Sequence, residues 1–455
     1  MSKFSSIVSL IYFVLLIVFA AVPCRADSLD YRDVITDSIG YSASLRVKNE
    51  DVFISNAQYR SNFAALYPVV TLGGRAERYE NIDNRDNTTI NTIGNEVVGG
   101  YESAWRSSVS LSGQYAVSNW YKKIYETGYY EKLKNTSIHE CEAEVKKTIR
   151  DVTDIFRSVA ESKIKLLYAR EILSRLNEIF RMKQEAFTNG QFSHEDVLTA
   201  QTDVLTMEKD ITGIHKDMRE SFEKLSNYTG KSYSVDVDII TLPLSSPLPT
   251  PDETEIIAQT PEYKARLNEI EALRSRKKSV SNNFLPDISV YGRYDFYNSS
   301  PDNMHDSLSD VRATDYSVGL HISLPLFDGG VRKWEREKSF HELKKAQEYA
   351  RLVFNEKNKD IKTLRVGYAE LSKSYSHYKK INEQYAKIKD INRKSKVLGE
   401  RSDLDVIEFE KDALLAERDL KIIEHTMAVY EKQLALELNF NQFAGEYGGN
   451  GTCQH

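Results

Sequence analysis

GQFSHEDVLTAQTDVLTMEKD at 190–210 aligns without a gap on GERSDLDVIEFEKDALLAERD at 399–419, with eight of 21 positions identical and an offset of 209. The identities include the leading glycine, the serine three residues on, and Asp196 against Asp405. RSSVSLSGQYAVSNWYKK (106–123) lies in pattern over SVGLHISLPLFDGGVRKW (317–334) at an offset of 211, and LYPVVTLGGRAERY (66–79) over FLPDISVYGRYDFY (284–297). A period this long marks a duplicated unit, not a solenoid. Whatever the chain folds into is built from two copies of one plan: helix, strand pair, long helix, break, long helix.

The strand pairs alternate at period two. Ile288, Val290, Gly292, Tyr294 and Phe296 fall on one face, with Asp287, Ser289, Tyr291, Arg293 and Asp295 on the other. Val109, Leu111, Gly113, Tyr115 and Val117 alternate with Ser108, Ser110, Ser112 and Gln114. Tyr316, Val318, Leu320, Ile322 and Leu324 alternate with Ser317, Gly319, His321 and Ser323, and Val70, Leu72, Gly74 and Ala76 form a fourth apolar set. Each run is about 10 residues, enough for a tilted strand to cross a bilayer. A half-buried soluble sheet shows the same alternation. Polar segments near 80–102 and 298–312 bridge the pairs and suit surface loops.

From Val331 to Lys396 there is no proline and one interior glycine, Gly367. A helix of that span is about 100 Å long. Trp120 to Asn189 reads the same way. Beyond the breaks, Val197, Val204, Ile211, Met218 and Leu225 recur every seven residues, with Ala200, Met207 and Ile214 beside them. Val406, Ala413, Leu420, Met427 and Leu434, with Phe409, Ala416, Ile423 and Tyr430, repeat the pattern. Sustained a/d spacing predicts coiled-coil packing. TLPLSSPLPTPDETE (241–255) is a proline-rich connector between the copies.

Lys3, the apolar run Ile7–Ala21 and Cys24-Arg25-Ala26 read as a secretory leader cleaved near Ala26, with lipidation at Cys24 as the alternative. Removing it takes the formal net charge from −6 to −8, which leaves no basic excess for nucleic acid. Cys141 and Cys453 remain, too few for a disulfide framework, and Cys141 reads as a lone inert helical thiol. No later apolar run reaches the ~18 residues of a transmembrane helix, so entry into a membrane would be through strands. No H-E-x-x-H, P-loop or G-x-S-x-G pattern is present, His321 has no second histidine at ligand spacing, and neither an enzyme nor a metal or other cofactor is expected.

Four strands cannot close a barrel, because the smallest bacterial barrels use about eight and lipid does not tolerate open edges. Three chains would pool twelve. At this point the sequence NFLPDISVYGRYDF followed by YSVGLHISLPLFDGGVRKWEREKSFHELKKAQ resembles the TolC outer-membrane efflux family, in both copies and over roughly 30–440. The resemblance implies an α+β membrane protein: a homotrimer whose twelve-stranded β-barrel continues as a periplasmic α-helical coiled-coil barrel. It implies the exit duct of a tripartite drug-efflux pump or type I secretion system, lodged in outer-membrane lipid. The partners would be a periplasmic adaptor (membrane fusion) protein and an inner-membrane transporter of RND or ABC type. The competing reading is an exported coiled-coil scaffold or surface protein with no channel. The expected organisation is a leader at 1–26, a first repeat at 27–230, a connector at 231–255, a second repeat at 256–440 and a flexible tail at 441–455.

By the same resemblance, Gly190, Gln191, Phe192, Gly399 and Glu400 lie at the helix tips where the adaptor docks. Asp405 and Glu408 stand where family members ring the narrowest aperture with acids, and three-fold crowding would raise some of their pKa values. Arg401 matches a basic residue that links neighbouring tips, with Glu195 or Asp196 as candidate partners. Lys396 replaces the family's tyrosine. Ser193 with Asp196 and Ser402 with Asp405 equally fit helix capping boxes.

Overall fold

The computed structural model describes residues 28–80, 91–93, 96–98, 103–244, 253–300, 302–309, 313–448 and 453. The expected leader and Cys24 lie outside them. In chain order the first copy runs β1 (Ser28–Leu29), α1 (Tyr31–Tyr41), α2 (Ala43–Ala64), β2 (Val69–Glu80), the short hairpin β3 (Asn91–Ile93) and β4 (Glu96–Val98), β5 (Ser103–Ala116), α3 (Asn119–Lys122), α4 (Ile124–Thr188) and α5 (His194–Thr229). β6 (Asp238–Ile239) lies in the connector and pairs in parallel with β1. The second copy runs α6 (Glu253–Gln259), α7 (Pro261–Asn282), β7 (Asp287–Ser300), α8 (Met304–Ser309), β8 (Ala313–Ser323), α9 (Val331–Val397) and α10 (Asp403–Leu438), with α11 (Phe440–Glu446) after it.

The duplication is visible in the element bounds. α2 and α7 are offset by 218 residues at both ends, as are the first residues of β2 and β7. α5 and α10 are offset by 209 at both ends, as are the last residues of α4 and α9. The sheet register extends this second offset to the returning strands: Val69 pairs with Gln114, and its counterpart Asp287 pairs with Ser323. These strands are therefore 209 apart, not the 211 read from the sequence. A slip of two leaves a period-two pattern unchanged, so side-chain similarity could not detect it.

The chain divides into two compact units. One holds Phe53–Thr136 and Arg266–Tyr349, and its centre is an antiparallel sheet in the order β2-β5-β7-β8. Cross-strand partners share a face, and the register gathers every apolar set onto one side: Leu72 with Leu111, Leu111 with Tyr294, and Tyr294 with Tyr316. That side is bare. Leu72 is 74 % exposed, Tyr316 75 % and Val318 77 %. The other side is polar and forms a hollow of about 480 Å³ lined by Thr71, Ser112, Gln114, Ser289, Arg293 and His321. An Arg293–Asp295 ion pair of 2.7 Å lies on it. A soluble sheet hides its apolar face; this one exposes it and lines its hollow with polar groups. β2 and β8 are unpaired along their outer edges among the described residues.

The other unit takes the residues up to Val52, Ser137–Ala265 and Ala350 onward. Tyr31, Ile35, Val152, Phe156, Met218, Leu225, Leu436 and Phe443 share one core, so the first-copy a/d positions of α5 meet α1, α4 and α10. Val197, Val204, Met218 and Leu225 are buried, whereas Val406, Ala413 and Leu420 of α10 are half-buried. An ion cluster sits in this unit. The fully buried Lys146 lies 2.6 Å from Glu437, which Arg150 also contacts, and Lys357 lies 2.6 Å from Glu262. Among the described residues no helix is long and apolar enough to cross a membrane.

Two expectations about the end of the chain are corrected. Cys141 is not a lone thiol: it is disulfide-bonded to Cys453 across 312 residues. The segment after Phe440 is not a flexible tail throughout: α11 forms, and Phe443, Ala444, Tyr447 and Cys453 are buried in the core of α1 and α4. Two cysteines this far apart carry no spacing signal, and the glycines at 445, 448 and 449 masked the apolar set that packs. Closing so long a loop restricts the unfolded chain, typically by about 2–4 kcal/mol. The unfolded chain should therefore migrate faster before reduction than after. Cys453→Ser should abolish that difference and lower the thermal midpoint.

His425 lies 2 % exposed beside Phe156, with both ring nitrogens unpartnered among the described residues. Burial, aided by the nearby charge of Arg157, pushes it down from the ordinary 6.5 to about 4. A base with a lowered folded pKa is neutral when native and protonated when unfolded. Its effect is therefore absent above about 6.5 and costs stability as the pH falls through that window towards 4. Thermal midpoints between pH 6.5 and 4 should fall less steeply in His425→Leu than in the unaltered protein.

Candidate functional site

The two breaks in the long helices are the same structure made twice. α4 ends at Thr188 and α5 begins at His194; α9 ends at Val397 and α10 begins at Asp403. In each break the glycine has a left-handed backbone, φ 73° at Gly190 and 74° at Gly399. The Gly190 N–H donates to the Phe187 carbonyl (2.9 Å) and the Gln191 N–H to the Ala186 carbonyl (3.0 Å). Gly399 and Glu400 donate likewise to Lys396 (3.0 Å) and Ser395 (2.9 Å). These bonds satisfy carbonyls that a helix end leaves bare, and the conformation strains any residue with a Cβ.

Each second helix opens on a capping box. The Ser402 N–H and hydroxyl donate to one carboxylate oxygen of Asp405 at 3.1 and 2.8 Å, and the Asp405 N–H donates back to Ser402 Oγ at 3.2 Å. Ser193 and Asp196 repeat this at 2.9, 2.6 and 3.1 Å. The serine hydroxyl is the main cause holding both carboxyls below their usual range. Within one chain the direction is therefore downward, opposite to the rise expected from crowding in a three-fold ring.

The remaining acids and bases divide by partner. Glu408 is half-buried and lies 3.2 Å from Lys183, which joins α10 to α4. Below it Arg175 bridges Glu178 (3.3 Å) and Glu410 (3.4 Å). Lys396, in the family tyrosine's place, pairs with Asp403 at 2.7 Å, and that hydrogen bond raises its pKa. Among the described residues Arg401 is exposed and pairs with neither Glu195 nor Asp196 of its own chain. Gln191, Glu195 and Glu400 are exposed and Phe192 is half-buried. Sequence reasoning missed Lys183 and the apolar rim of the tips: Phe187 (41 % exposed), Val397 (87 %) and Leu398 (71 %). Apolar residues set just before a turning glycine were the available signal. Among the described residues no three His, Cys, Asp or Glu side chains converge as metal ligands. Nothing at the tips assembles a nucleophile with a base. The arrangement can present charge and an apolar rim.

The family model for outer membrane efflux proteins matches residues 35–231 and 254–438. Among curated proteins none matches the chain by sequence. Solved structures share the fold. The CmeC outer membrane channel of Campylobacter jejuni is 17 % identical with a TM-score of 0.74, over 92 % of this chain and 85 % of that one. The outer membrane protein VceC of Vibrio cholerae is 16 % identical at 0.73, over 90 % and 95 %. The MtrE outer membrane channel of Neisseria gonorrhoeae, solved in its open state, is 14 % identical at 0.68, over 93 % and 91 %. Two matched repeats covering most of the sequence place this chain in the outer membrane efflux protein family, whose members are transport channels of the outer membrane that extend into the periplasm rather than enzymes.

Proposed function

We propose that three copies pool their strands into a twelve-stranded barrel and their long helices into one periplasmic tube, forming the exit duct of a tripartite pump. The bare apolar face of a sheet with two open edges carries this reading. A strand edge in hydrocarbon leaves about one backbone donor or acceptor per residue unpaired, at several kcal/mol each. Over the 12 residues of β2 that is on the order of tens of kcal/mol, far more than one chain can offset. Pairing β8 of one chain with β2 of the next satisfies both edges at once, and their opposite directions suit the antiparallel sheet.

In this reading the apolar face meets lipid and the polar hollow lines the lumen. The glycine turns are the periplasmic tips. Gly190, Gln191, Phe192, Gly399 and Glu400, rimmed by Val397 and Leu398, meet an adaptor protein that couples the duct to an inner-membrane transporter. Asp405 sets a ring of carboxylates at the aperture, and Glu408, paired to Lys183, braces the helix behind it. Arg401 is exposed, its charge lies near Asp405, and it could reach Glu195 or Asp196 of a neighbour. Drug efflux through an RND-type partner and protein secretion through an ABC-type partner use the same duct.

Native mass in mild detergent should give a trimer, and a monomer or dimer would remove the pooled barrel. Capping and aperture charge can then be separated at one carboxyl. Asp405→Asn keeps an oxygen for Ser402 but removes three charges from the ring, so cation preference in planar bilayers should fall. Ser402→Ala loosens the cap yet keeps the charge, so selectivity should stay. Equal selectivity in Asp405→Asn and the unaltered channel would assign Asp405 to capping alone.

A further inference from the structure

The sheet-bearing unit contains one joint between the copies and leaves its counterpart open. Inside the chain, the descending strand of copy one meets the ascending strand of copy two. There the Ser118 N–H donates to the Ile288 carbonyl at 3.1 Å, next to Tyr121, whose hydroxyl donates to the Pro286 carbonyl. Beneath, α4 packs on α7. A Cβ at Gly128 would lie 3.8 Å from Ser275 Oγ, and Lys278 Nζ sits 5.6 Å from the centre of the Tyr125 ring. The reciprocal joint would bring the descending strand of copy two to the ascending strand of copy one. In a single chain these are the two open edges, β8 and β2.

The repeat offsets translate one joint into the other. Adding 209 to the copy-one side and subtracting 218 from the copy-two side carries Ser118 and Ile288 onto Phe327 and Val70. It carries Gly128 and Ser275 onto Glu337 and Ala57, and Tyr125 and Lys278 onto Trp334 and Arg60. Of the two cation–aromatic contacts in the internal joint, Lys278 with Tyr125 maps onto another cation and another aromatic ring, whereas Arg276 with Tyr129 maps onto Gln58 and Lys338. Trp334 is 60 % exposed, its own chain offering it Lys333 at 5.2 Å, and Arg60 is exposed. Phe327 is 89 % exposed on a pinned turn. Asp328 accepts from the N–H groups of Gly330 (3.0 Å) and Arg332 (3.2 Å), while Arg332 donates to the Pro325 carbonyl at 2.6 Å. A rigid segment holding large apolar groups outward loses little entropy on docking. The translation is not chemically perfect. The Arg276–Glu126, Lys132–Glu271 and Lys122–Asp287 ion pairs become Gln58 with Glu335, Phe53 with His341 and Val69 with Val331, so the reciprocal joint lacks these three charge pairs and is more apolar.

We infer that the exposed side of α2 is the seat for the first turns of α9 from a second copy, with Arg60 stacked on Trp334 of that copy and the Phe327 N–H of that copy donating to the Val70 carbonyl. The inference rests on the pooled-barrel reading and goes further, because it fixes which residues of neighbouring chains touch. Arg60 and Trp334 then act as the cation–aromatic lock of each joint, and the PLFDGG turn as the element that sets the register of β8 against β2.

The test is cysteine cross-linking in the full chain. Ala57→Cys with Glu337→Cys places two thiols at exposed positions, the counterparts of Ser275 and Gly128, where a Cβ at Gly128 would lie 3.8 Å from Ser275 Oγ. Mild oxidation should yield covalent dimers and trimers that reduction reverses. Tyr59→Cys with Glu337→Cys, about 200° away around α2, should yield at least ten-fold less. A protein that is trimeric by native mass but forms no cross-link, or cross-links equally through Tyr59→Cys, overturns this joint and leaves the pooled barrel standing. A monomer in mild detergent overturns both.

Discussion

Backbone hydrogen bonding along two strand edges governs this protein. The apolar sets of four strands, brought to one side by the register, have no covering layer in the chain, and hydrocarbon is the environment that suits them. Hydrocarbon in turn forbids the bare edges of β2 and β8. The sheet therefore fits a membrane only as part of something closed, and in the proposed assembly a chain with four such strands finds the rest in copies of itself. In that reading assembly belongs to folding, as in other proteins whose protomers cannot satisfy their own backbone.

The duplication is what makes that economical. One plan used twice supplies an up strand and a down strand on each side of an internal joint, and the same surfaces can meet again between chains. Small departures between the copies then carry the division of labour. Val197 and Val204 are buried within one chain while their counterparts Val406 and Ala413 are half-exposed, so the two heptad seams do not play identical parts. The α4–α7 joint has ion pairs, Arg276–Glu126 and Lys132–Glu271, that its proposed counterpart between chains would lack. Copies that agree in backbone and differ in side chains give pseudo-symmetry with distinguishable interfaces, which favours one closed assembly over open chains of subunits.

Most of the fold was legible because its signals are periodic. Alternation marked the strands, the absence of proline marked the long helices, and glycine followed by serine and aspartate marked the turns, where Gly190 and Gly399 indeed adopt positive φ. What escaped notice was aperiodic or long-range. A pattern of period two cannot distinguish offsets of 209 and 211, and only the hydrogen-bonded register does. The Cys141–Cys453 bridge spans 312 residues, so no local spacing announces it. Lys183 looked like one more surface lysine of a charged helix. Its meeting with Glu408 depends on how α4 and α10 lie side by side.

At the tips the proposed aperture would place two demands on one carboxyl. A capping aspartate must be ionised and fixed on its serine, and the hydrogen bonds from Ser402 arrange this by lowering the pKa of Asp405. A ring of such groups about one axis pushes the other way, since each charge raises the cost of ionising the next. In the proposed ring the cap would offset part of that rise and keep the carboxyls charged to lower pH than uncapped ones. In that reading capping and aperture chemistry are compatible roles for the same carboxyl. The bond that starts the helix also holds the charge in place, and the paired Glu408 behind it lets α10 keep its position on α4 while the tip stays exposed.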